Sequence, residues 1–300
     1  MKSCIIALSL FTSTLLYGQN ELKDLSDEFN DSTSLTSWSL FHLVENFPDR
    51  IRHISINKNN TGVLQLQPKA SGWYADNQAP FLFKTVSGNF DVRARVKVTG
   101  AETELPSVDW SLAGLMVRQP KHTTSANWMP RQENWLFITT GVADNTQLPV
   151  LEVKTTNNSL SNLKLRPVKT GWIELRIVHM DAAFILMTRT EGEGWTVRER
   201  FYRPVMTGPL QVGLNAYSCW NAIPVELKSD ARAFNETVPP VKADLLLQVD
   251  YIRFARPQAD LNKLSAYYDG RYEGTLFYTP ANLLTDFSVS NEALVALLGD

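Results

Sequence analysis

The stretch from Leu175 to Tyr217 is the clearest indication of the fold in this sequence. Its successive segments are Leu175-Arg-Ile-Val-His179, Phe184-Ile-Leu-Met-Thr-Arg189, Glu191-Gly-Glu-Gly-Trp195, Val197-Arg-Glu-Arg-Phe201 and Gly208-Pro-Leu-Gln-Val-Gly-Leu-Asn-Ala-Tyr217. The first segment alternates apolar and polar residues, which is the period of a half-buried β-strand. The third segment contains two glycines and turns the chain, and the fourth runs back. The stretch therefore predicts a strand, a hairpin and two further strands.

The same period of two continues outward from this stretch. Between Asn89 and Val98, apolar residues alternate with mostly charged ones, so that one face of a strand would be buried. Further strands are predicted at Ser37–Phe41, Gly62–Gln67, Pro80–Thr85, Ser111–Arg118, Trp135–Thr140, Val150–Lys154, Trp172–His179, Phe184–Arg189, Val197–Phe201, Leu210–Ala216 and Leu245–Ala255. Short strands in this number, separated by Gly, Pro and Asn turns, predict an all-β sandwich. Two long connections, Gln119–Asn134 and Ser218–Ala243, are expected at its rim, where binding sites tend to lie.

Both ends of the chain differ from this pattern. Residues 1–18 combine a charged start, an apolar core and a small final residue, which predicts a secretory signal peptide and a secreted, periplasmic or extracellular location. From Pro257 onward the chain becomes aromatic, and Ser290–Gly299 reads as a short helix that Ser290 caps and Gly299 ends. Residues 19–256 are therefore expected to form the sandwich. Residues 257–300 are expected to form an extension whose helix packs on the sandwich or on a partner.

The composition limits the possible partners. The formal net charge is −2, so no basic field attracts nucleic acid. No segment after residue 18 is long and apolar enough to insert into a membrane. Cys219 would be the one cysteine left after removal of the signal peptide, so no intrachain disulfide is expected. The sequence leaves the oligomeric state open.

Several short pieces, in their order along residues 24–256, carry a family resemblance. They are Asp27-Glu-Phe-Asn-Asp31 with Trp38, Ala79-Pro-Phe-Leu82, Gly88-Asn-Phe-Asp-Val92, Ala113-Gly-Leu-Met-Val-Arg118, Glu133-Asn-Trp135, the Glu191–Trp195 hairpin, Val212-Gly-Leu214 and Val249-Asp-Tyr-Ile-Arg-Phe254. In these pieces the chain resembles the concanavalin A-like lectin/glucanase superfamily, and within it the DUF1349-type domains and the C-terminal sandwich of some β-xylosidases. The resemblance implies a jelly roll of two antiparallel sheets, one of them concave. It does not set the function, because the superfamily contains both enzymes and binding modules.

The resemblance also implies a structural calcium ion. Similar domains often hold calcium between the N-terminal acidic turn and an acidic residue of the last strand, which here would be Asp27, Glu28, Asp31 and Asp250. Calcium takes six to eight oxygen ligands, and carboxylates with turn carbonyls supply them. The alternative is that Asp27 and Asp31 cap turns and that Asp250 pairs with an arginine.

Aromatic and planar polar side chains near the predicted loops favour a carbohydrate ligand, because sugars stack on aromatic rings and bind planar polar groups. The candidate contacts are Trp73, Tyr74, Trp110, Arg118, Trp128, Glu133, Asn134, Trp135, Glu152, Lys154 and Trp220. By alternation Arg118 shares a strand face with Met116, and Glu152 shares one with Lys154, so these could line the concave sheet. The alternative is that the tryptophans are core residues and that the charged residues form ordinary cross-strand pairs.

Catalysis is left open by the sequence. The Glu-x-Asp-x-x-Glu pattern of the retaining glucanases in this superfamily does not occur, and the carboxylates worth testing are Asp76, Asp109, Glu133 and Glu152. A lyase could use His122 with Arg118. The leading prediction is a secreted carbohydrate-binding protein. The alternatives are a glycoside hydrolase or polysaccharide lyase of an uncharacterised type, and a structural or surface-assembly protein.

Overall fold

Fourteen β-strands form two antiparallel sheets in the described part of the chain, which comprises residues 21–58, 61–267 and 280–299 of a computed structural model. The strands are β1 Ser39–Leu40, β2 Ile51–Ile56, β3 Leu64–Pro68, β4 Phe81–Val86, β5 Phe90–Thr99, β6 Ser111–Arg118, β7 Trp135–Val142, β8 Pro149–Asn157, β9 Leu160–Pro167, β10 Ile173–Met180, β11 Ala183–Thr190, β12 Thr196–Tyr202, β13 Leu210–Tyr217 and β14 Leu246–Ala255. The front sheet has the order β1-β4-β13-β6-β7-β8-β9, and the back sheet has the order β12-β11-β10-β5-β14-β3-β2. The predicted two-sheet antiparallel sandwich is confirmed. The predicted signal peptide lies outside the described residues.

The stretch from Leu175 to Tyr217 links the two sheets. In the back sheet, β10 pairs with β11 across a two-residue turn between Met180 and Ala183, and β11 pairs with β12. The chain then crosses to the front sheet, where β13 lies between β4 and β6. The strands predicted in this stretch are therefore present, and its last strand belongs to the other layer.

The space between the sheets is filled by the apolar faces of the central strands. On β5, the predicted alternation places Phe90, Val92, Ala94 and Val96 in this core. The front sheet contributes Leu115, Val117, Leu136, Ile138, Val212 and Leu214 from its inner face. Because burying one such larger side chain contributes about 1.5–3 kcal/mol, the period-two pattern is enough to drive the two layers together.

The structure adds two edge strands and three short helices to the predicted pattern. Strands β2 and β9 lie at the ends of their sheets. Because β9 is largely exposed, its sequence shows only weak apolar alternation. The helices are α1 Phe41–Glu45, α2 Val225–Ser229 and α3 Ala231–Glu236. Their five or six residues are too few to show a helical period in the sequence. For this reason Phe41 was predicted to end a strand, whereas in the structure it begins α1.

The C-terminal extension packs on the outer face of the back sheet. Its helix α4, Asn291–Leu298, begins where the Ser290 hydroxyl accepts a hydrogen bond from the Ala293 amide, and it ends before Gly299 at φ +61°. An apolar cluster joins the two parts and contains Ile185, Met187, Trp195, Leu284, Leu294 and Leu297. Buried Arg176 donates to the carbonyls of Leu298 and Gly299 at 2.8 and 2.6 Å. The sandwich itself therefore covers the helix, and among the described helices none is long and apolar enough to cross a bilayer.

Truncation of Leu294 tests this docking. Leu294 is fully buried, so Leu294→Ala should lower the free energy of unfolding by about 2–5 kcal/mol, measured by urea denaturation. Leu160→Ala is the matched control, because Leu160 is 79% exposed and should change stability by less than about 0.5 kcal/mol. Equal effects of the two substitutions would contradict the docked helix.

Candidate functional site

The outer face of the front sheet carries the candidate site, under a cover of long connections. Arg118 on β6 and Glu152 and Lys154 on β8 alternate with the core residues Val117 and Val153, so they face away from the core, as predicted from the strand period. The cover consists of α1 and residues 69–80, 119–134 and 218–243. A second apolar cluster fills the space beneath it and includes Phe41, Trp73, Phe81, Trp128, Trp135, Phe137 and Tyr217.

A pocket of about 210 Å³ remains open in this cover. Its walls are aromatic: Tyr74 is exposed, and Trp110 and Trp220 are half-buried. Lys154 and Tyr217, both almost fully buried, reach it from the sheet beneath. The remaining lining residues are Gly72, Trp73, Leu163 and Asn221. Five of the eleven predicted sugar contacts thus meet at one pocket: Trp73, Tyr74, Trp110, Lys154 and Trp220.

Close packing fixes the Trp220 wall. A Cβ on Gly72 would lie 2.2 Å from Cε3 of Trp220, so only glycine lets the indole approach this backbone. On its other side, the indole contacts Phe234 edge-on with ring centroids 5.6 Å apart. Trp110 adopts a left-handed backbone at φ +53°, which costs about 1–3 kcal/mol for a non-glycine residue. The fold therefore holds two pocket aromatics in place against steric or conformational cost.

Lys154 is the charged donor beneath the pocket. Its Nζ forms an ion pair with Glu152 Oε1 at 2.8 Å and donates to the Trp73 carbonyl at 3.1 Å. An ammonium has three N–H donors, so these contacts leave donor capacity toward the pocket. Rings surround the ammonium, with centroids of Phe137, Tyr217, Tyr74 and Trp110 at 5.1, 5.6, 5.9 and 6.0 Å.

Glu152 lies beneath the lysine with no solvent exposure. It accepts hydrogen bonds from the Tyr217 hydroxyl and, at 3.3 Å, from the Thr139 hydroxyl. Burial first, and then the negative charge of Glu152, raise the pKa of Tyr217 well above its ordinary value. Tyr217 is therefore a protonated donor at neutral pH, and at the floor of the pocket Glu152 is ion-paired with Lys154 and hydrogen-bonded to Tyr217.

Arg118 and Glu133 occupy a second, closed part of the same face. The Arg118 guanidinium binds Glu133 at 2.8 and 3.0 Å, Glu45 of α1 at 2.6 Å and Gln211 of β13 at 2.8 Å. Neither Arg118 nor Glu133 has any exposed surface, so a ligand does not reach them in this structure. They attach α1 and the 119–134 connection to the front sheet.

The remaining predicted sugar contacts are also away from the pocket. Trp135 is fully buried and Trp128 nearly so, both in the apolar cluster under the cover. The Asn134 side chain is occupied by Asn158 and by Arg203. Trp128 and Trp135 are therefore core residues, as the alternative interpretation described.

The two acids beside Arg118 differ in their pKa. Burial raises the pKa of Glu45, and Arg118 only partly opposes this shift; Oε2 of Glu45 is buried without a hydrogen-bond partner. Burial would also raise the pKa of Glu133, but Arg118 and Lys121 outweigh it and lower that pKa. Glu133 is therefore the ionised partner of Arg118, and Glu45 is the acid more easily protonated.

The other candidate catalytic groups are held by protein contacts. Asp76 accepts from the Arg131 amide at 2.9 Å and from the Ser159 hydroxyl at 2.6 Å, and Asp109 accepts from the Asn145 amide at 3.0 Å and from the Asn221 side chain at 2.7 Å. His122 is exposed, whereas Arg118, its proposed lyase partner, is buried. The structure therefore does not bring His122 and Arg118 to a common accessible surface.

The four acids of the calcium prediction have separate partners. Asp27 accepts from the Phe29 amide and the Trp38 indole, and Asp31 caps a 3-10 helix through Thr33. Glu28 pairs with Arg253 at 2.7 and 2.8 Å, and Asp250 pairs with Arg95 at 2.8 Å. Across residues 21–58, 61–267 and 280–299, no three His, Cys, Asp or Glu side chains are grouped as metal ligands. These residues do not fit a calcium cage in this arrangement.

Comparison with solved structures shows the class of fold. A mutant of the GH43 protein BlXynB of Bacillus licheniformis is similar, with 12% identity and a TM-score of 0.51. The Bacteroides ovatus protein xyloglucan PUL GH43B has 15% identity and a TM-score of 0.50, and the xylan β-1,4-xylosidase of Bacillus halodurans has 13% and 0.50. Each match covers 77% of this chain and 39% of the other chain.

The sandwich therefore has the concanavalin A-like jelly-roll fold that the sequence pieces predicted. At identities this low, the likeness shows the fold alone. The chain spans about two fifths of these longer proteins. No protein-family model and no curated protein matches the sequence.

The pocket also contains residues that the sequence did not single out, chiefly Tyr217, Gly72 and Asn221. Alternation along β13 puts Tyr217 on the same face as Gln211, and strand pairing places it opposite Leu112. This pairing register places Tyr217 at the pocket. The sequence alone does not show that β13 pairs with β6, so it could not predict this position. Gly72 and Asn221 lie in connections, where no period exists to place them.

Glu45 makes stability depend on pH. Because its folded-state pKa is raised, its contribution is present below the unfolded-state pKa and is lost as pH rises through the folded-state value. Glu45→Gln mimics the protonated acid and does not lose this contribution as pH rises. Between about pH 4 and about pH 7, the free energy of unfolding of the variant should therefore increase relative to that of wild type. Urea unfolding at both pH values measures the difference. If the free energy of unfolding of wild type instead increases relative to that of the variant, the effect of Arg118 on the pKa of Glu45 exceeds the effect of burial.

Chelation tests the carboxylates at the N-terminal turn. Because arginines and hydrogen bonds already hold Asp27, Glu28, Asp31 and Asp250, EDTA followed by excess calcium should leave the melting temperature unchanged in differential scanning calorimetry. A ligand that binds the folded state raises this temperature. A clear rise with calcium, reversed by EDTA, would show that these groups rearrange into a calcium site.

Proposed function

We propose that this protein binds carbohydrate in the pocket formed by Tyr74, Trp110, Trp220 and Lys154. The observation that carries the proposal is the combination of three partly exposed aromatic walls with one charged donor at the floor. Aromatic faces offer apolar surface to the C–H groups of a sugar ring, and a few convergent polar groups then orient the ligand. The shared fold does not carry the proposal.

Binding is favoured over hydrolysis by the state of Glu152. A glycosidase needs two carboxyl groups that flank the glycosidic bond, about 5–9.5 Å apart. Glu152 is the carboxylate beneath this pocket, and it is fully buried behind Lys154 and bonded to Tyr217. Its Oε1 pairs with the lysine and its Oε2 accepts from Tyr217 and Thr139, which is the role of a support group at a binding site.

The setting of the site completes the proposal. The outer face of the front sheet would be the concave face expected from the resemblance, and the 218–243 connection, which carries Trp220, would form its rim. The signal-like residues 1–18 support a secreted protein that meets polysaccharide outside the cell. The C-terminal helix, which in part motivated a role in surface assembly, packs on the sandwich itself, whereas residues 268–279 of the aromatic tail lie outside the described residues.

A polysaccharide panel tests the proposal, with retention and release of reducing ends measured together. Wild type should be retained on at least one polysaccharide without release of reducing ends, and Tyr74→Ala should weaken retention about fivefold or more, since a stacked ring contributes about 1 kcal/mol or more. Tyr202→Ala is the matched control: Tyr202 is 43% exposed and Tyr74 is 46% exposed, but Tyr202 lies in the back sheet.

The outcomes separate the candidate functions. Retention that both variants weaken equally would place binding elsewhere. Release of reducing ends that Tyr74→Ala abolishes would make the pocket an active site, and a complete lack of retention would contradict carbohydrate binding.

A further inference from the structure

We infer that the pocket takes a single uncharged sugar unit at the end of a saccharide chain. This inference rests on the proposed function and specifies its ligand. Two features of the pocket carry it, namely its closed floor and the charge balance beneath it.

The size and floor of the pocket favour one ring that enters end-on. A volume of about 210 Å³ is below the range of about 300–1,000 Å³ typical of pockets for larger ligands. The floor is closed by Lys154 and Tyr217, which are 3% and 2% exposed and belong to the sheet itself. A chain that continued past the bound unit in this direction would meet the backbone of the front sheet. The bound unit is therefore a terminal one.

The charges beneath the pocket favour a neutral ring. Lys154 has one positive charge, and the Glu152 carboxylate, 2.8 Å from its Nζ, already balances it. A sugar hydroxyl can accept the remaining N–H of the ammonium without changing this balance. A uronate or sulfate would bring a second anion close to Glu152 in a site with little water, where like charges repel strongly.

The charges at the rim do not alter this selection. Lys228 lies over the Trp220 ring, 5.3 Å from its centroid, and Asp109 accepts a hydrogen bond from Asn221 at 2.7 Å. One cation and one anion therefore flank the pocket. Neither end of it, floor or rim, has an excess of positive charge to attract an acidic sugar.

A chain-length series tests the end-on part. Neutral gluco-, xylo-, manno- and galacto-oligosaccharides of one to six units are titrated into the wild-type protein by calorimetry. For the sugar that binds, affinity should change less than about threefold beyond the second unit, because only the terminal ring and its neighbour reach the protein. Affinity that rises with each added unit, and that Tyr74→Ala abolishes, would leave the proposed function standing and overturn the end-on inference.

A matched pair of ligands tests the charge part. The affinity of wild type is measured for the neutral sugar that binds and for its uronate counterpart. If the sugar is a hexose, the counterpart has the same ring with C6 oxidised. If it is a pentose, the counterpart is the hexuronate of the same ring configuration. Wild type should prefer the neutral ring at least about tenfold, as expected for a repulsion of this kind. Equal or tighter binding of the uronate by wild type would overturn the inference without any variant.

The variant Glu152→Gln tests the cause. Removing the carboxylate leaves the Lys154 charge unbalanced, so the preference should shift at least about tenfold toward the uronate relative to wild type. Circular dichroism and the melting temperature check that the variant folds. If it does not fold, the comparison of the neutral sugar with the uronate on wild type still tests the charge part of the inference. A folded variant with unchanged preference would overturn the charge argument. If no sugar of either kind binds wild type, the proposed function itself fails.

Discussion

Two buried cations on the outer face of the front sheet, Arg118 and Lys154, constrain the rest of this structure. Taking an ion out of water costs several kcal/mol, which its partners inside the fold must offset. Arg118 obtains its partners from α1 through Glu45 and from the 119–134 connection through Glu133, while Lys154 obtains the Trp73 carbonyl from the 69–80 connection. Pairing these cations therefore requires the connections to close over the sheet, and it makes this face a second core.

The pocket is the part of that second core that stays open. Glu152 pairs with the lysine from below and accepts a hydrogen bond from Tyr217. Gly72 and Phe234 hold the Trp220 wall, and Trp110 adopts a strained backbone. Every polar group at the floor is thus placed before a ligand arrives. Such pre-organisation lowers the entropic cost of binding, which supports the proposed binding site.

The sequence was enough for the layers but not for the cover. Alternation in Asn89–Val98 predicted a strand that the structure confirms, because burial of one face dictates that period. The same rule placed Glu152 and Lys154 on one face. It could not decide between ligand contact and internal pairing for Arg118, Glu133 and the tryptophans, because that depends on how the irregular connections fold back. It also could not place Tyr217, whose position depends on the pairing of β13 with β6.

The outer face of the front sheet is a second core with a ligand-sized opening above Lys154. A crystal structure of the protein with a short neutral oligosaccharide that binds in solution tests this most directly. We expect a terminal ring between Tyr74, Trp110 and Trp220, with one hydroxyl within hydrogen-bond distance of Lys154 Nζ and with Arg118 still covered. A ring bound elsewhere on the molecule, or connections displaced so that Arg118 and Glu133 contact the sugar, would contradict it.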